Sequence, residues 1–458
     1  MKQEGKTYNK ICKKGDIIMK KMDEISAKVI PAVSKFAGAK PIMALKDGFV
    51  LTMPITLIGS IFMLIKSFPI KNWSNIMAGI FGEQWAAPLN QVTGATFDII
   101  ALVAVFGIAY SYAKASKVSA VPAGILSIVS FLVISNAFVV TKAGEVVTGV
   151  IPKVWTGGQG MITSIIIGLC VGAIYSWFIN KDIRIKMPDS VPEGVANAFS
   201  ALIPGFVIVL LSMIVYAICN ATQGISMTEI IYNILQVPMQ NLSDSLVGSI
   251  LIMAFMSIFW WFGLHGANII LGIISPVLTA NSLANQAVLD AGGTLVVGEN
   301  AKIVTSQFVS IYAKFGGVGI TLGLIIAALI VAKSQQIRQL SKMSLLPGLF
   351  NINEPVIFGL PIVFNPIMAI PFILVPIIAV LMIYFSLVTG FIQPFAALQL
   401  PWTTPPVISG FILSGWQGAV LQILITAMAV GVYLPFVKMQ DKVAYEQEVA
   451  YEQENKEA

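Results

Sequence analysis

Asn351-Ile352-Asn353-Glu354-Pro355 carries the only charged side chain between Lys342 and Lys438. A second stretch, Trp260-Trp261-Phe262-Gly263-Leu264-His265-Gly266-Ala267-Asn268, lies between Asp244 and Asp290, where there is no Asp, Glu, Lys or Arg. It holds the single histidine of the chain. Whether these charge-free stretches sit in water or in lipid decides the fold. Of the 458 residues, 57% are hydrophobic and 11% charged, against about 25% charged in a soluble domain. The mean hydropathy is +0.84. So few charges cannot cover a water-exposed surface of this size, which excludes an ordinary soluble enzyme. Apolar runs of membrane-spanning length recur. They are continuous rather than alternating, which argues against a β-barrel. The chain reads as an all-α polytopic membrane protein.

Spans are predicted near 43–66, 95–113, 119–141, 162–180, 200–219, 247–264, 310–332, 366–389 and 417–437. Two further apolar stretches, 266–285 and 344–364, are rich in Gly, Pro and Asn and predict broken or re-entrant segments. Such backbone survives at membrane depth only where protein or a cavity surrounds it. Lys114 and Lys117, then Lys181, Arg184 and Lys186, then Lys333, Arg338 and Lys342, then Lys438 and Lys442 cluster at span ends. With the eleven lysines of residues 1–46, the positive-inside rule puts both termini in the cytosol and requires an even number of crossings. Nine spans are odd in number, so one broken segment supplies a net crossing. The chain divides into a tail with an interfacial amphipathic helix (1–42), an N-terminal half of five spans (43–225), a C-terminal half with the broken segments (226–438), and a polar tail (439–458). The amphipathic face of 23–40 comprises Ile25, Val29, Ile30, Val33 and Phe36. Met19 and Met22 offer alternative starts, and no secretory leader is evident. The last tail contains VAYEQE twice, at 443–448 and 449–454, and reads as a polar helix.

The net charge is +6, with only Arg184 and Arg338 as arginines, so nothing suggests nucleic-acid readout. Cys12, Cys170 and Cys219 are scattered without metal-binding spacing, and neither a metal nor another cofactor is expected. Gly316-Gly317-Val318-Gly319 lacks a following GK[ST]. It reads as close helix packing rather than a nucleotide loop, so ATP-driven transport within this chain is excluded. Lys46 and Asp47 suggest a local pair or a lipid-headgroup contact, and Asp98 an interface residue.

Glu354 and His265 stand out because an ionisable group at a helix centre costs roughly 2.5–3.5 kcal/mol. Each has a plain structural reading, as a packed carboxyl or a hydrogen-bonded core histidine. Both, however, have Asn neighbours (Asn351, Asn353, Asn268) and helix-breaking Gly or Pro. That pairing points to a polar pocket where two broken segments meet, as in transporters. Trp260 and Trp261 beside His265, and Trp402 with Thr403 in Leu400-Pro401-Trp402-Thr403-Thr404-Pro405, offer aromatic faces and hydroxyls suited to sugar rings. An interfacial aromatic belt is the competing explanation.

The stretches Trp261-Phe262-Gly263-Leu264-His265-Gly266-Ala267-Asn268 and Asn351-Ile352-Asn353-Glu354-Pro355-Val356-Ile357-Phe358-Gly359, with Pro361 and Asn365-Pro366, resemble the EIIC membrane component of the bacterial phosphotransferase system (PTS), in its lactose/cellobiose/chitobiose group. Met187-Pro188-Asp189-Ser190-Val191-Pro192 is similar to that family's turn into the fifth span. The resemblance runs from about Asp23 to Lys442. It implies an EIIC-type permease of about ten transmembrane helices plus two re-entrant hairpins. It further implies a homodimer in the bacterial cytoplasmic membrane, with an N-terminal dimerisation half and a C-terminal transport domain. The implied activity is group translocation of a disaccharide. A phosphocysteine on EIIB, charged by EIIA upstream, donates its phosphoryl group to the bound sugar. By the same resemblance Glu354 and His265 face the reacting hydroxyl, and which of them is the base stays open. Asn268, Asn351, Asn353, Trp260, Trp261, Trp402 and Thr403 are the candidate sugar contacts. No phosphocysteine loop surrounds Cys12, so a separate EIIB is expected, which favours the cellobiose/chitobiose side of the group. Two other readings stand beside this one. The first is an ion-coupled secondary sugar transporter using Glu354 and His265 as proton sites. The second is a receptor or lipid-modifying enzyme, disfavoured by the absence of a sensory domain or nucleophile triad.

Overall fold

The computed structural model describes residues 31, 35–66, 68, 72–141, 143–188, 190–360 and 362–457. Most of the amphipathic stretch 23–40, Cys12, Met19, Met22, Asp189 and Pro361 lie outside the described residues. Among the described residues, seven helices are long and apolar enough to cross a membrane: Lys40–Lys66, Ala87–Ala115, Gly158–Asn180, Glu193–Thr222, Gly266–Asp290, Pro366–Val388 and Ile408–Tyr451. An eighth candidate is a pair, Met227–Ser243 and Leu246–Trp261, bent by 77°. Two shorter apolar helices, Ala120–Val133 and Thr321–Val331, complete the bundle.

Several elements differ locally from the sequence expectation. The 119–141 span stops at Val133, and Phe138–Val140 pairs antiparallel with Val146–Thr148. The β-branched valines flanking the Gly144 turn favour that hairpin over more helix. The 266–285 stretch is not broken: it lies within one helix, Gly266–Asp290, with Pro276 inside. The break falls just before it, at Gly263 with φ +75°. Pro276 removes a single intrahelical bond, too little to end a helix packed along its length. The 310–332 segment becomes a π-wound turn, Phe308–Ala313, and a helix that starts only at Thr321. Between them Gly316, Gly317 and Gly319 have φ of +66°, +89° and +87°. These glycines therefore form a left-handed loop, not a helix-packing stripe; side chains rarely adopt such φ, and glycine does so freely. The 344–364 stretch is broken as expected, between Gln335–Leu349 and the short helix Glu354–Gly359. The 417–437 span belongs to Ile408–Glu457, which kinks at Ser414 and Gly415.

Buried side-chain amides hold this irregular backbone. Asn285 Nδ2 donates to the carbonyls of Lys302 and Phe395, both at 2.7 Å, while its Oδ1 accepts the Lys302 N–H. Asn281 donates to Val304 O at 2.8 Å. Gln307 donates to Leu398 O at 2.9 Å. Gln422 accepts from the N–H groups of Val407 and Gly410 and donates to Ile311 O. Without water, each of these groups needs a protein partner.

The largest buried apolar cluster runs from Ile252 to Val437 and draws only on the second half of the chain. A smaller one joins Met63, Phe97, Ile100 and Met161 of the first half to Ala280, Leu283 and Ala397. That seam separates two cavities at opposite ends of the Gly266–Asp290 helix. One, of about 570 Å³, reaches its C-terminal half and is edged by Lys66, Asp98, Lys153 and Asp290. The other, of about 620 Å³, reaches its N-terminal half at His265, Asn268 and Leu271.

The C-terminal helix clamps the element that leads to Glu354. The buried Asp441 carboxylate accepts the N–H groups of Lys333 and Ser334 at 2.9 Å. Glu448, within the first VAYEQE unit, accepts from Ser334 Oγ at 2.7 Å and from the Gln335 and Gln336 N–H groups at 3.0 Å. Both carboxylates thus satisfy the free amides at the start of the Gln335–Leu349 helix, where the helix dipole favours negative charge. Replacing a helix-capping side chain by Ala costs about 0.5–2 kcal/mol. Asp441→Ala should lie at or above the top of that range because it leaves buried N–H groups unpaired. Thermal unfolding of the purified protein should show a lowered Tm, with Asp441→Asn intermediate; an unchanged Tm for Asp441→Ala would contradict the clamp.

Candidate functional site

His265 and Glu354 meet across the 620 Å³ cavity, each at the start of a helix. The chain turns at Gly263, and His265 caps the Gly266–Asp290 helix, its Nδ1 accepting the Asn268 N–H at 3.2 Å. A neutral imidazole bonded this way carries its proton on Nε2. That atom points to Glu354 Oε1 at 4.0 Å. Glu354 opens its own short helix because Pro355 suits the first turn. Both side chains are roughly half exposed, at 43% and 48%. The gap is too long for a direct hydrogen bond. An oxygen about 2.8 Å from each atom fits across it with good bonding distances.

The Glu354 loop is held by the glycine loop. Asn351 sits at φ +65°. Its Oδ1 accepts the Gly316 N–H at 2.6 Å, and its Nδ2 donates to the carbonyls of Trp402 and Thr404 at 2.6 and 2.9 Å. Asn353 donates to Val318 O at 3.0 Å and lies against the bare Cα of Gly317. Asn351, Asn353, Asn268, Trp260, Trp402 and Thr403 all line the cavity with His265 and Glu354. The Asn351 amide is fully engaged with backbone, so it shapes the wall. Trp260 is buried, its ring 4.4 Å from that of His265. Trp402 is half exposed, with its indole free to cover a ligand.

Trp261 is not among the lining residues. Its Nε1 donates to Asn365 O at 2.9 Å and its carbonyl accepts the Phe364 N–H at 3.0 Å. It staples the turn before the Gly266–Asp290 helix to the 364–365 backbone. The cavity also contains Lys46, Thr56, Ser275, Ser306, Lys314 and Gln399, which the sequence reading did not select for it. Lys314 carries a signal of the same kind as Glu354: it is the only charged residue between Lys302 and Lys333. Lys46 is paired with Asp47 at 3.4 Å, as the sequence suggested.

A polar cavity of this size, within the roughly 300–1,000 Å³ of small-molecule sites, enclosed by broken segments in a bundle of apolar helices, defines a multi-pass membrane transporter. Residues 46–376 match the family Phosphotransferase system, EIIC. The chain is 38% identical to the lichenan permease IIC component of Bacillus subtilis (strain 168), covering 94% of this chain and 96% of that one. It is 37% identical to the PTS system cellobiose-specific EIIC component of Geobacillus stearothermophilus, covering 91% and 93% respectively. The crystal structure of the transporter ChbC, the IIC component from the N,N'-diacetylchitobiose-specific phosphotransferase system, superimposes with a TM-score of 0.87 at 38% identity, covering 93% of this chain and 99% of that one. The chain belongs to the PTS EIIC family.

A Cβ at position 317 would overlap the Asn353 side chain at a φ that L residues rarely adopt. Gly317→Ala should therefore cost about 1–3 kcal/mol in local strain and displace the Glu354 loop. The expected result is weakened sugar binding together with a lowered Tm. Wild-type affinity in this variant would show that the two loops do not depend on each other.

Proposed function

We propose that this EIIC takes a β-linked disaccharide of the cellobiose or diacetylchitobiose type. In this reading it carries the sugar across the bacterial cytoplasmic membrane and presents it to a separate phospho-EIIB. The observation that carries the reading is the His265–Glu354 pair across a polar cavity, 4.0 Å apart. A sugar hydroxyl bridging that gap would donate its proton to the Glu354 carboxylate and accept the Nε2–H of His265. Its oxygen would then be positioned and polarised for attack on phosphorus. Phosphoryl transfer needs little more than such positioning and charge stabilisation. Trp402 covers a sugar face, and Thr403, Asn268 and the free Oδ1 of Asn353 meet its hydroxyls. The substrate class is supported by the names of the cellobiose-specific and N,N'-diacetylchitobiose-specific relatives.

The division of labour follows the two cores. Residues 226–438 act as the transport unit, supported by their own continuous core. Residues 43–225 form the scaffold through which two copies associate. Both termini lie in the cytosol, supported by the basic residues that follow the helices ending at Ala115, Asn180 and Val331. EIIB then approaches from the side on which the His265 cavity lies.

Glu354→Gln should abolish sugar phosphorylation while leaving binding of cellobiose detectable, because the amide still hydrogen-bonds but takes no proton. His265→Ala should weaken both binding and transfer. Proteoliposomes with phosphorylated EIIB and labelled cellobiose measure transfer, and equilibrium binding measures the other. Normal sugar-phosphate formation by Glu354→Gln would remove the assignment.

A further inference from the structure

We propose that Lys314 is the cation that receives the transferring phosphoryl group, a role resting on the site reading above. Lys314 is half-buried in the wall of the His265–Glu354 cavity. Among the described residues no carboxylate lies within 4.0 Å of its ammonium. Nor does that ammonium donate a hydrogen bond to any described atom. The other lysine of the cavity, Lys46, already has Asp47. An uncompensated ammonium held among transmembrane helices is costly, and a neutral sugar cannot repay that cost. A phosphoryl group, which brings negative charge and three acceptor oxygens, can.

The backbone keeps Lys314 in register with the reaction. Two residues on, Gly316 donates to Asn351. The next turns of the same loop are bound to Asn353, through Val318 O and the contact at Gly317. The loop that carries the ammonium and the loop that carries Glu354 therefore form one unit, and Lys314 and His265 line the same cavity. In the step itself the sugar hydroxyl oxygen forms a bond to phosphorus as the S–P bond of the EIIB phosphocysteine breaks. The electron pair of that bond leaves on the cysteine thiolate, and the hydroxyl proton passes to Glu354. Negative charge on the phosphoryl oxygens lies beside the Lys314 ammonium throughout, where a cation fixed in position stabilises it. The same contact holds the product phosphate.

Binding of two probes to the purified full-length protein tests this: cellobiose, and cellobiose phosphorylated on the primary hydroxyl of its non-reducing ring. Lys314→Gln should weaken the phosphate ester by about tenfold or more, as loss of a charge-assisted contact requires, and change cellobiose affinity by less than about threefold. Lys314→Arg should retain the ester. Equal losses for both probes, or no loss for either, overturn the proposal while leaving the sugar site standing. Should Lys314→Gln not assemble, the wild type decides. Ester binding must weaken as salt rises while cellobiose binding does not; an ester bound without that salt dependence overturns the proposal. A wild-type chain that binds neither probe removes the sugar-site reading and the Lys314 assignment with it.

Discussion

Everything at the site depends on backbone polar groups that cannot turn to water. A helix satisfies its own amides in lipid, and a loop does not. This protein places loops at membrane depth and answers the demand with carboxamides. Asn281 and Asn285 project from the Gly266–Asp290 helix onto the 302–304 backbone, and Gln422 bridges Ile311 and the 407–410 turn. Asn351 and Asn353 do the same between the glycine loop and the Glu354 loop. An amide serves because it donates and accepts at once without the desolvation cost of a charge.

That arrangement fixes His265 and Glu354 by indirect means. Neither His265 nor Glu354 is held by the other. Each is set by its own helix start, and the distance between them follows from the Trp261–Asn365 and Asn351–Gly316 links. The pair can thus stay 4.0 Å apart, open to a hydroxyl, instead of collapsing into a salt bridge. The clamp from Asp441 and Glu448 secures the far end of the same assembly. It also gives one unit of the terminal repeat a structural role that its composition did not reveal.

The two cavities lie on either side of the Phe97–Leu283 seam. Charges line both ends, but differently. The 570 Å³ cavity has its lysines paired, Lys66 with Asp290 at 3.4 Å and Lys153 with Asp98 at 3.2 Å. In the His265 cavity Lys314 has no carboxylate partner among the described residues. Among the described residues, only the second end places a lysine without a carboxylate partner in the same cavity as Glu354 and His265.

The sequence alone determined the membrane class, through 11% charge and long apolar runs, and singled out His265 and Glu354, through single ionisable residues left in otherwise charge-free stretches. Charge at membrane depth is expensive wherever the chain places it, so those signals survive without coordinates. Tertiary structure decided what depends on partners. Pro276 and Gly266 looked like breaks but lie in a continuous helix, because the neighbouring packing outweighs one lost hydrogen bond. Gly316, Gly317 and Gly319 looked like helix packing but form a left-handed loop, because their use is set by Asn351 and Asn353 thirty-odd residues away. Trp260 and Trp261 are adjacent in sequence, yet one lines the cavity and the other staples the loops, since consecutive side chains at the end of the Leu246–Trp261 helix point about 100° apart. The charge pattern of Lys314 is as visible as that of Glu354, but only the folded chain shows that it lines the same cavity, with no carboxylate among the described residues to pair with it.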